Sequence, residues 1–220
     1  MRSFSTVLAL LLIIAARPGA AIGSSNCVED PSLQAEKSAE LQKLASEDQE
    51  DRKGPVDSID WKKVSPRDLQ RRTQVAEIFA AGCFKDAKDY AAAALVYQHG
   101  DTADHAYQTF IWSKRAVQLG DGSRKWLMAA GLDRYLVRIG QKQLFGTQVR
   151  KDNGSPCWCL EPTEESFPDQ LRVEYIKNTL SENWLMMSAF FNADKPSCKQ
   201  TQFCHRDLKP SPAGTVPGFW

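Results

Sequence analysis

The chain has 220 residues, a formal net charge of +1, and a composition that is 42% hydrophobic and 10% aromatic. This length fits a single domain with a sizeable core, and the apolar content excludes a wholly disordered chain. The near-zero charge argues against nucleic acid or an anionic membrane surface as the partner, because both select strongly basic proteins.

The first residues have the pattern of a secretory signal that is cleaved on export. A basic Arg2 precedes an apolar run over residues 7–16, and the small residues Ala21 and Gly23 precede the expected cleavage site. The run is shorter than the about 20 residues that a membrane-spanning helix needs. We therefore expect residues 1–23 to be removed. The mature chain should begin at Ser24 and be periplasmic or secreted, with no membrane span.

An even number of cysteines in an exported chain indicates disulfide bonds. The six cysteines are Cys27, Cys83, Cys157, Cys159, Cys198 and Cys204. We expect Cys27 to pair with Cys83 and the other four to pair among themselves, in an order that their spacing leaves open. The alternative is a metal site formed by the last four cysteines with His205. The spacing of those four departs from that of zinc motifs, so we predict disulfides and neither a metal nor a cofactor.

Helical signals dominate the first half of the mature chain. Residues 33–52 are rich in helix-forming residues and place Leu41, Leu44 and Ala45 on one face. A second helix is expected to begin at Ser65 as N-cap, with Pro66 in its first turn. The expected inner face of this second helix consists of Leu69, Val75, Ala76 and Phe79.

Glycines at positions 82, 100, 120 and 140 divide the following sequence into segments of similar length. Glycine commonly ends a helix because it enters the left-handed conformation without strain. No segment shows the alternation typical of a strand. The sequence therefore predicts an all-α fold of stacked antiparallel helical pairs, with a helical domain over residues 24–150.

The character of the chain changes after residue 150. Residues 151–195 are expected to form a loop around Cys157-Trp158-Cys159 and then one helix from about Asp169. Its apolar stripe, interpreted as core packing, consists of Val173, Ile176, Leu180, Trp184, Met187 and Phe191. Residues 196–220 are expected to form a cysteine-pinned loop and a loose tail. The C-terminal part is thus predicted to be a disulfide-bonded extension.

The helix expected over residues 123–139 carries an unexpected charge. Its apolar stripe consists of Trp126, Ala129, Ala130, Leu136 and Val137, and Asp133 lies in the middle of it. A buried carboxylate is unfavourable unless a cation or hydrogen-bond donors meet it. Polar residues at the ends of other segments could supply these groups, so we expect one partly buried polar cluster of Asp48, Arg52, His99, Asp133 and Gln148.

Two interpretations of this cluster remain open. In the first it is a structural network in which Asp133 pairs with Arg52 or Arg134. In the second it is a small-molecule or catalytic site, in which His99 or an acid carries a proton. The catalytic candidates are His99, Asp133 and Asp48, and the binding candidates are Arg52, Gln98, Arg134, Gln143, Thr147 and Gln148.

The same residues resemble the signature of an uncharacterised, mostly bacterial family of helical domains. The matching motifs are Asp48-Gln49-x-x-Arg52, Gln98-His99-Gly100, Asp133-Arg134 and Gln143-Leu144-Phe145-Gly146-Thr147-Gln148. Phe145 stands where that family usually has tyrosine, and the family has no established activity. Residues 94–120 are also similar to a single Sel1-type repeat, a relative of the tetratricopeptide repeat. Both resemblances imply a helical fold.

No phosphate-binding loop, nucleophile elbow or His-Glu-x-x-His motif is present in the sequence. We therefore expect an exported helical binding or interaction module with a protein or small-molecule ligand that the sequence does not specify. The alternative is a small hydrolase or small-molecule-binding enzyme that uses the polar cluster.

Overall fold

A computed structural model describes residues 26–54, 58–195, 197–198 and 203–220. The predicted leader, residues 1–23, lies outside these described residues. The described part contains seven α-helices and two short strands. The helices are α1 (Gln34–Glu50), α2 (Trp61–Ala80), α3 (Ala87–Tyr97), α4 (Ala103–Gln118), α5 (Lys125–Arg138), α6 (Asp169–Ile176) and α7 (Leu180–Phe191), and the strands are β1 (Val149–Lys151) and β2 (Trp158–Leu160).

Local sequence explains where several helices begin and end. Asp86 and Thr102 form reciprocal capping boxes at the starts of α3 and α4, and Thr179 does so for α7. The predicted stops at residues 82, 120 and 140 are confirmed, since all three glycines have positive φ. Gly100 is different: it does not take a positive φ, and an added Cβ there would collide with His105.

The first core lies between α1, α2, α3 and α4. Helix α1 packs against α3, and α3, α4 and α5 pack against one another in chain order. The buried residues of this core include Leu41, Leu44, Ala45, Val75, Ile78, Ala93, Val96 and Trp112. The prediction that Leu41, Leu44 and Ala45 face inward is therefore confirmed.

A second core joins α5 to the C-terminal part of the chain. Its buried members include Phe110, Leu132, Leu136, Leu144, Phe145, Phe167, Ile176 and Val216. The prediction of a loose tail is wrong, because the last residues pack into this core. The indole of Trp220 lies 4.9 Å from the ring of Phe167 and donates a hydrogen bond to the carbonyl of Ser211.

Helix α2 departs from its prediction at both its start and its inner face. It begins at Trp61, four residues before the predicted Ser65, so Pro66 lies inside the helix. Of the four residues predicted to face inward, only Val75 is buried, and Leu69 is 60% exposed. Ala76 and Phe79 are also exposed. The buried face instead includes three charged residues, Asp68, Arg71 and Arg72, because carboxylates of other elements pair with the arginines.

The fold is mostly helical but not strictly all-α. Strands β1 and β2 pair antiparallel, with Arg150 opposite Cys159. Each strand has three residues, too few to show the alternation by which a strand is detected in sequence. The predicted single C-terminal helix is also broken in two, at Lys177, which adopts a left-handed φ of 69°. Val173, predicted to be core, is 41% exposed.

Three disulfides link the described cysteines. Cys27 pairs with Cys83, Cys157 with Cys198, and Cys159 with Cys204. The predicted Cys27–Cys83 bond is confirmed, as is the pairing of the other four cysteines among themselves. Their sulfur atoms are therefore not available as thiolate ligands for the alternative metal site with His205.

Helix α5 lies between the two cores and is buried on most of its surface, from Leu127 to Val137. Gly131 permits its close approach to α4, since an added Cβ would lie 2.8 Å from the backbone nitrogen of Phe110. Trp126, predicted on the buried stripe, is 46% exposed because it lies in the first turn. None of the described helices combines the length and apolar character that a membrane span requires.

Candidate functional site

The C-terminal end of α1 and the turn after α3 meet through a carboxylate and an imidazole. Asp48 is fully buried in the last turn of α1, and its Oδ2 lies 2.9 Å from Nδ1 of His99. Arg52 Nη1 donates to Oδ1 of Asp48 at 3.0 Å, and Gln49 Nε2 donates to Oδ2 at 2.8 Å. The His99 side chain is 24% exposed, and its Nε2 has no partner among the described residues. Asp48 thus orients an imidazole whose second nitrogen stays accessible.

A cluster of arginines and aspartates surrounds this pair. Arg52 Nη2 donates to Asp68 Oδ2 at 2.5 Å, and Arg71 Nη2 donates to Asp68 Oδ1 at 2.8 Å. Arg71 also donates to Asp51 at 2.7 Å. Burial alone would raise the pKa of Asp68, but the hydrogen bonds from the two arginines outweigh it and lower that pKa. We call Asp48, Asp51, Arg52, Asp68 and Arg71 the ion cluster.

The second buried carboxylate, Asp133 of α5, is held in a different way. Its Oδ1 accepts hydrogen bonds from the backbone N–H groups of Leu144 and Phe145, at 2.8 and 3.0 Å. Its Oδ2 accepts from the backbone N–H and the hydroxyl of Thr147, at 2.9 and 2.8 Å. Gly146 permits this turn with a φ of +84°. The carboxylate thereby fixes the segment 143–148, which we call the clamp loop.

Burial raises the pKa of Asp133 above its ordinary value, and the hydrogen bonds from the clamp loop act in the opposite direction. The expectation that Asp133 pairs with Arg52 or Arg134 is wrong, because backbone amides fill both of its oxygens. A helix wheel identifies the buried acid but contains no information about loop amides. Asp133 is therefore a structural residue that fixes the clamp loop.

Two glutamines complete the clamp loop. Gln143 is fully buried, and its Nε2 donates to the carbonyl of Glu161 at 2.7 Å. Its Oε1 accepts from the backbone N–H of Gln148 at 2.8 Å. The side chain of Gln148 donates to the hydroxyl of Thr147 at 2.9 Å. The loop therefore presents Gln148, half-buried, with its amide oxygen directed to the preceding helix, α5.

Arg134 joins the clamp loop to the turn after α3. Its Nε donates to Oε1 of Gln148 at 3.0 Å, and its Nη1 donates to the carbonyl of Gln98. It has no carboxylate partner among the described residues, and its Nη2 has no partner there at all. Burial, with a smaller contribution from the charge of Arg138, lowers the pKa of Arg134 to about 10. Arg134 is thus a cation without an anionic partner in the described part of the protein.

These contacts, joined by the peptide bond between Gln98 and His99, form one continuous series, which we call the polar relay. In order of contact its members are Asp48, His99, Gln98, Arg134, Gln148, Thr147 and Asp133. The two acids at its ends are fully buried, whereas His99, Gln98, Arg134 and Gln148 are half-buried. The predicted polar residues thus contact one another one after the next, and they do not all surround one point. Arg52 and Gln143 attach at either end of the relay.

Sequence reasoning missed Asp68, Arg71 and Asp51 of the ion cluster. The spacing of Asp68 and Arg71, three residues apart on α2, is a signal that they share one helix face. A second polar contact lies outside the relay: Nδ1 of His205 is 3.0 Å from a carboxylate oxygen of Asp152. Its imidazole is 86% exposed, and the neighbouring Cys204 is in a disulfide.

Comparison of the chain with models of known families, with curated proteins and with solved structures gives no match.

Proposed function

We propose that this chain is an exported helical binding protein and that the half-buried middle of the polar relay is its ligand site. Export is supported by the leader-like N-terminal sequence and by three disulfides, which persist in oxidising compartments. The observation that carries the binding function is a contrast along the relay. Both oxygens of each aspartate at its buried ends have hydrogen-bond partners, while two atoms in its half-buried middle have none among the described residues.

Those two atoms are Nε2 of His99 and Nη2 of Arg134. Polar groups that are buried away from water are generally paired inside the protein. Asp133 follows this rule with four donors, although Nε of Arg52 and Nε of Arg71 in the ion cluster have no hydrogen-bond partner among the described residues. His99 and Arg134 instead keep capacity that a bound ligand could fill.

The test is a small-molecule screen read out on His99. Compounds that raise the melting temperature of the full chain should also shift the imidazole resonances of His99 in NMR spectra. The variant His99→Gln, which has no imidazole to observe at this position, should lose the rise in melting temperature. His205→Gln is the matched control, since it replaces an exposed imidazole outside the relay and should keep both effects. Stabilising compounds that act equally on His99→Gln, or a complete lack of stabilising compounds, would refute a ligand site at the relay.

A second candidate function is hydrolysis, favoured by the contact of Asp48 with Nδ1 of His99. A carboxylate that accepts a hydrogen bond from Nδ1–H of the neutral imidazole leaves Nε2 unprotonated and able to act as a base. His99 Nε2 would take a proton from water while the water oxygen bonds to an acyl or phosphoryl centre. The imidazolium would then return that proton to the leaving oxygen as its bond breaks.

This candidate is tested by turnover of chromogenic carboxylic and phosphoric esters. Loss of a general base lowers a rate by about 10²- to 10⁴-fold. His99→Gln should show such a loss and His205→Gln should not. Turnover that survives in purified His99→Gln, or no turnover by the wild-type chain, would contradict hydrolysis at this site and leave the binding function to be judged on its own screen.

A further inference from the structure

We propose that the ligand of the polar relay carries an oxyanion, a carboxylate or a phosphate group, and that Arg134 binds it beside His99. This inference rests on the proposed binding function and adds the chemical class of the ligand. It starts from the partners of the buried arginines.

Other arginines with buried side chains have carboxylate partners. Arg52 lies 2.5 Å from Asp68, and Arg71 lies 2.7 Å from Asp51. Arg172, at the second core, lies 2.9 Å from a carboxylate oxygen of α6. Arg134 differs, because its two acceptors, a side-chain amide oxygen and a backbone carbonyl, are both uncharged.

The carboxylate adjacent to Arg134 in the sequence, Asp133, and the other carboxylate of the relay, Asp48, already have hydrogen-bond partners. Both oxygens of Asp133 accept hydrogen bonds from the clamp loop. The two oxygens of Asp48 accept hydrogen bonds from Gln49 and Arg52 and contact His99. Arg138, one turn after Arg134, donates to the carbonyl of Thr102, and the carboxylate of Asp101 lies close enough to act on its charge. Arg134 itself therefore has no carboxylate to balance its charge among the described residues.

Part of this arrangement has a structural explanation. The carbonyl of Gln98 lies at the C-terminal end of α3, where the helix dipole favours a cation. The helix dipole explains the position of Nη1, but it leaves Nη2 without a hydrogen-bond partner among the described residues. A guanidinium presents parallel N–H groups that match the two oxygens of a carboxylate or phosphate. An oxyanion on Nη2 would supply the missing charge, and it would raise the pKa of Arg134 back from about 10.

The position of His99 suits the same ligand. Gln98, whose carbonyl contacts Arg134, directly precedes His99 in the chain. A neutral imidazole that donates a hydrogen bond from Nδ1–H to Asp48 accepts a hydrogen bond at Nε2, whereas an imidazolium donates one from Nε2–H. It can therefore contact a hydroxyl of the ligand in the first state or an oxyanion in the second.

The test uses the full disulfide-bonded chain with inorganic phosphate and acetate as separate probes. Ionic strength is held constant with sodium chloride, so that general screening does not change. Binding is followed by the Nε–H resonance of Arg134 and the ring resonances of His99. We expect saturable shifts with at least one probe. Binding of phosphate alone would identify a phosphoryl ligand, and binding of acetate alone would identify a carboxylate ligand. Binding of both probes would show that the site recognises the oxyanion that they share.

The variants Arg134→Gln and Arg134→Lys separate charge from geometry. Arg134→Gln should weaken binding of the active probe by about tenfold or more, and Arg134→Lys should fall between it and wild type, because it keeps the charge without the planar fork. Arg138→Gln, on the same helix, is the control and should change affinity by less than about threefold. Melting temperatures and amide spectra verify that each variant folds.

The outcomes distinguish the ligand class from the existence of the site. If neutral compounds shift His99 and neither anion does, the oxyanion inference is wrong and the binding function stands. Equal anion affinity in wild type and Arg134→Gln would also overturn the inference. If neither anions nor any screened compound shifts His99, both proposals fail.

Discussion

Two fully buried aspartates of this protein solve the same physical problem with different partners. Asp48 contacts an arginine and a histidine, so that other ionisable groups balance its charge. Asp133 contacts three backbone N–H groups and one hydroxyl, so that only fixed dipoles balance it. The difference shows that a carboxylate within a helical stack can serve as one charge among several or as the single organiser of a loop.

The two arrangements should respond differently to the loss of one member. In the ion cluster, Arg71 contacts both Asp51 and Asp68, and Arg52 contacts both Asp48 and Asp68. Each cation therefore keeps a partner when one acid is removed. In the clamp loop, four donors converge on one carboxylate, and they have no second acceptor in the part of the chain that the structure describes.

The largest effect is expected for Asp133→Ala. Removing the carboxylate leaves four donors of the clamp loop without their acceptor inside the protein, and each unpaired buried group is unfavourable by about 1–3 kcal/mol. We expect the free energy of unfolding to fall by about 4 kcal/mol, the lower end of the sum over the four donors. Urea denaturation of wild type and variant measures this difference.

The matched control is Asp207→Ala, which removes an exposed aspartate and should change the free energy of unfolding by less than about 0.5 kcal/mol. Asp133→Asn should also destabilise, because its amide group directs N–H donors toward the donors of the loop. A change of under about 1 kcal/mol in Asp133→Ala would show that the loop amides find water as readily as the carboxylate.

A smaller effect is expected for Asp68→Ala, the corresponding change in the ion cluster. It removes one acceptor from each of Arg52 and Arg71, while each keeps another carboxylate. We expect a loss of about 2 kcal/mol, below the value for breaking an isolated buried pair. The same urea experiment measures it. If Asp68→Ala proves more harmful than Asp133→Ala, the ion cluster does not share its charges as described.

The sequence predicted the buried position of both acids but not the partners of Asp133. Asp48 and Arg52 are four residues apart, a spacing that places them together on one helix face. The helical periodicity around Asp133 likewise places that acid among apolar residues. Its donors are backbone groups of a loop, and every residue type except proline carries such a group, so the sequence has no signal for them.

The errors in helix α2 have a related cause. Its apolar residues Leu69 and Phe79 are predicted on the inner face, but the exposed fractions of the two residues are 60% and 48%. The inner face carries Asp68 and Arg71 because Arg52 and Asp51, just after α1, supply matching charges. Hydrophobic periodicity cannot identify a face that is buried through ion pairs. The same limit applies to the tail, where Trp220 packs only because a distant core accepts it.

The last prediction compares how the stabilising contributions of Asp68 and Asp133 change with pH, and it depends only on the sign of each change. The pKa of Asp68 is lowered in the folded protein, because arginine hydrogen bonds outweigh its burial. Its stabilising contribution is therefore complete above the ordinary aspartate pKa of about 4 and is lost as pH falls through the lowered pKa. The pKa of Asp133 is raised by burial, so the folded protein holds that proton more tightly than the unfolded chain. Its contribution therefore decreases as pH rises from the ordinary to the raised value.

Urea denaturation of wild type, Asp68→Asn and Asp133→Asn between about pH 2.5 and 7 separates the two signs. The difference between wild type and Asp68→Asn should shrink as pH falls, since the protonated acid no longer attracts the arginines. The difference between wild type and Asp133→Asn should grow over the same range, since protonation relieves the burial of its charge. If both differences shrank together, the loop amides would dominate over burial at Asp133, and the two acids would belong to one electrostatic class despite their different partners.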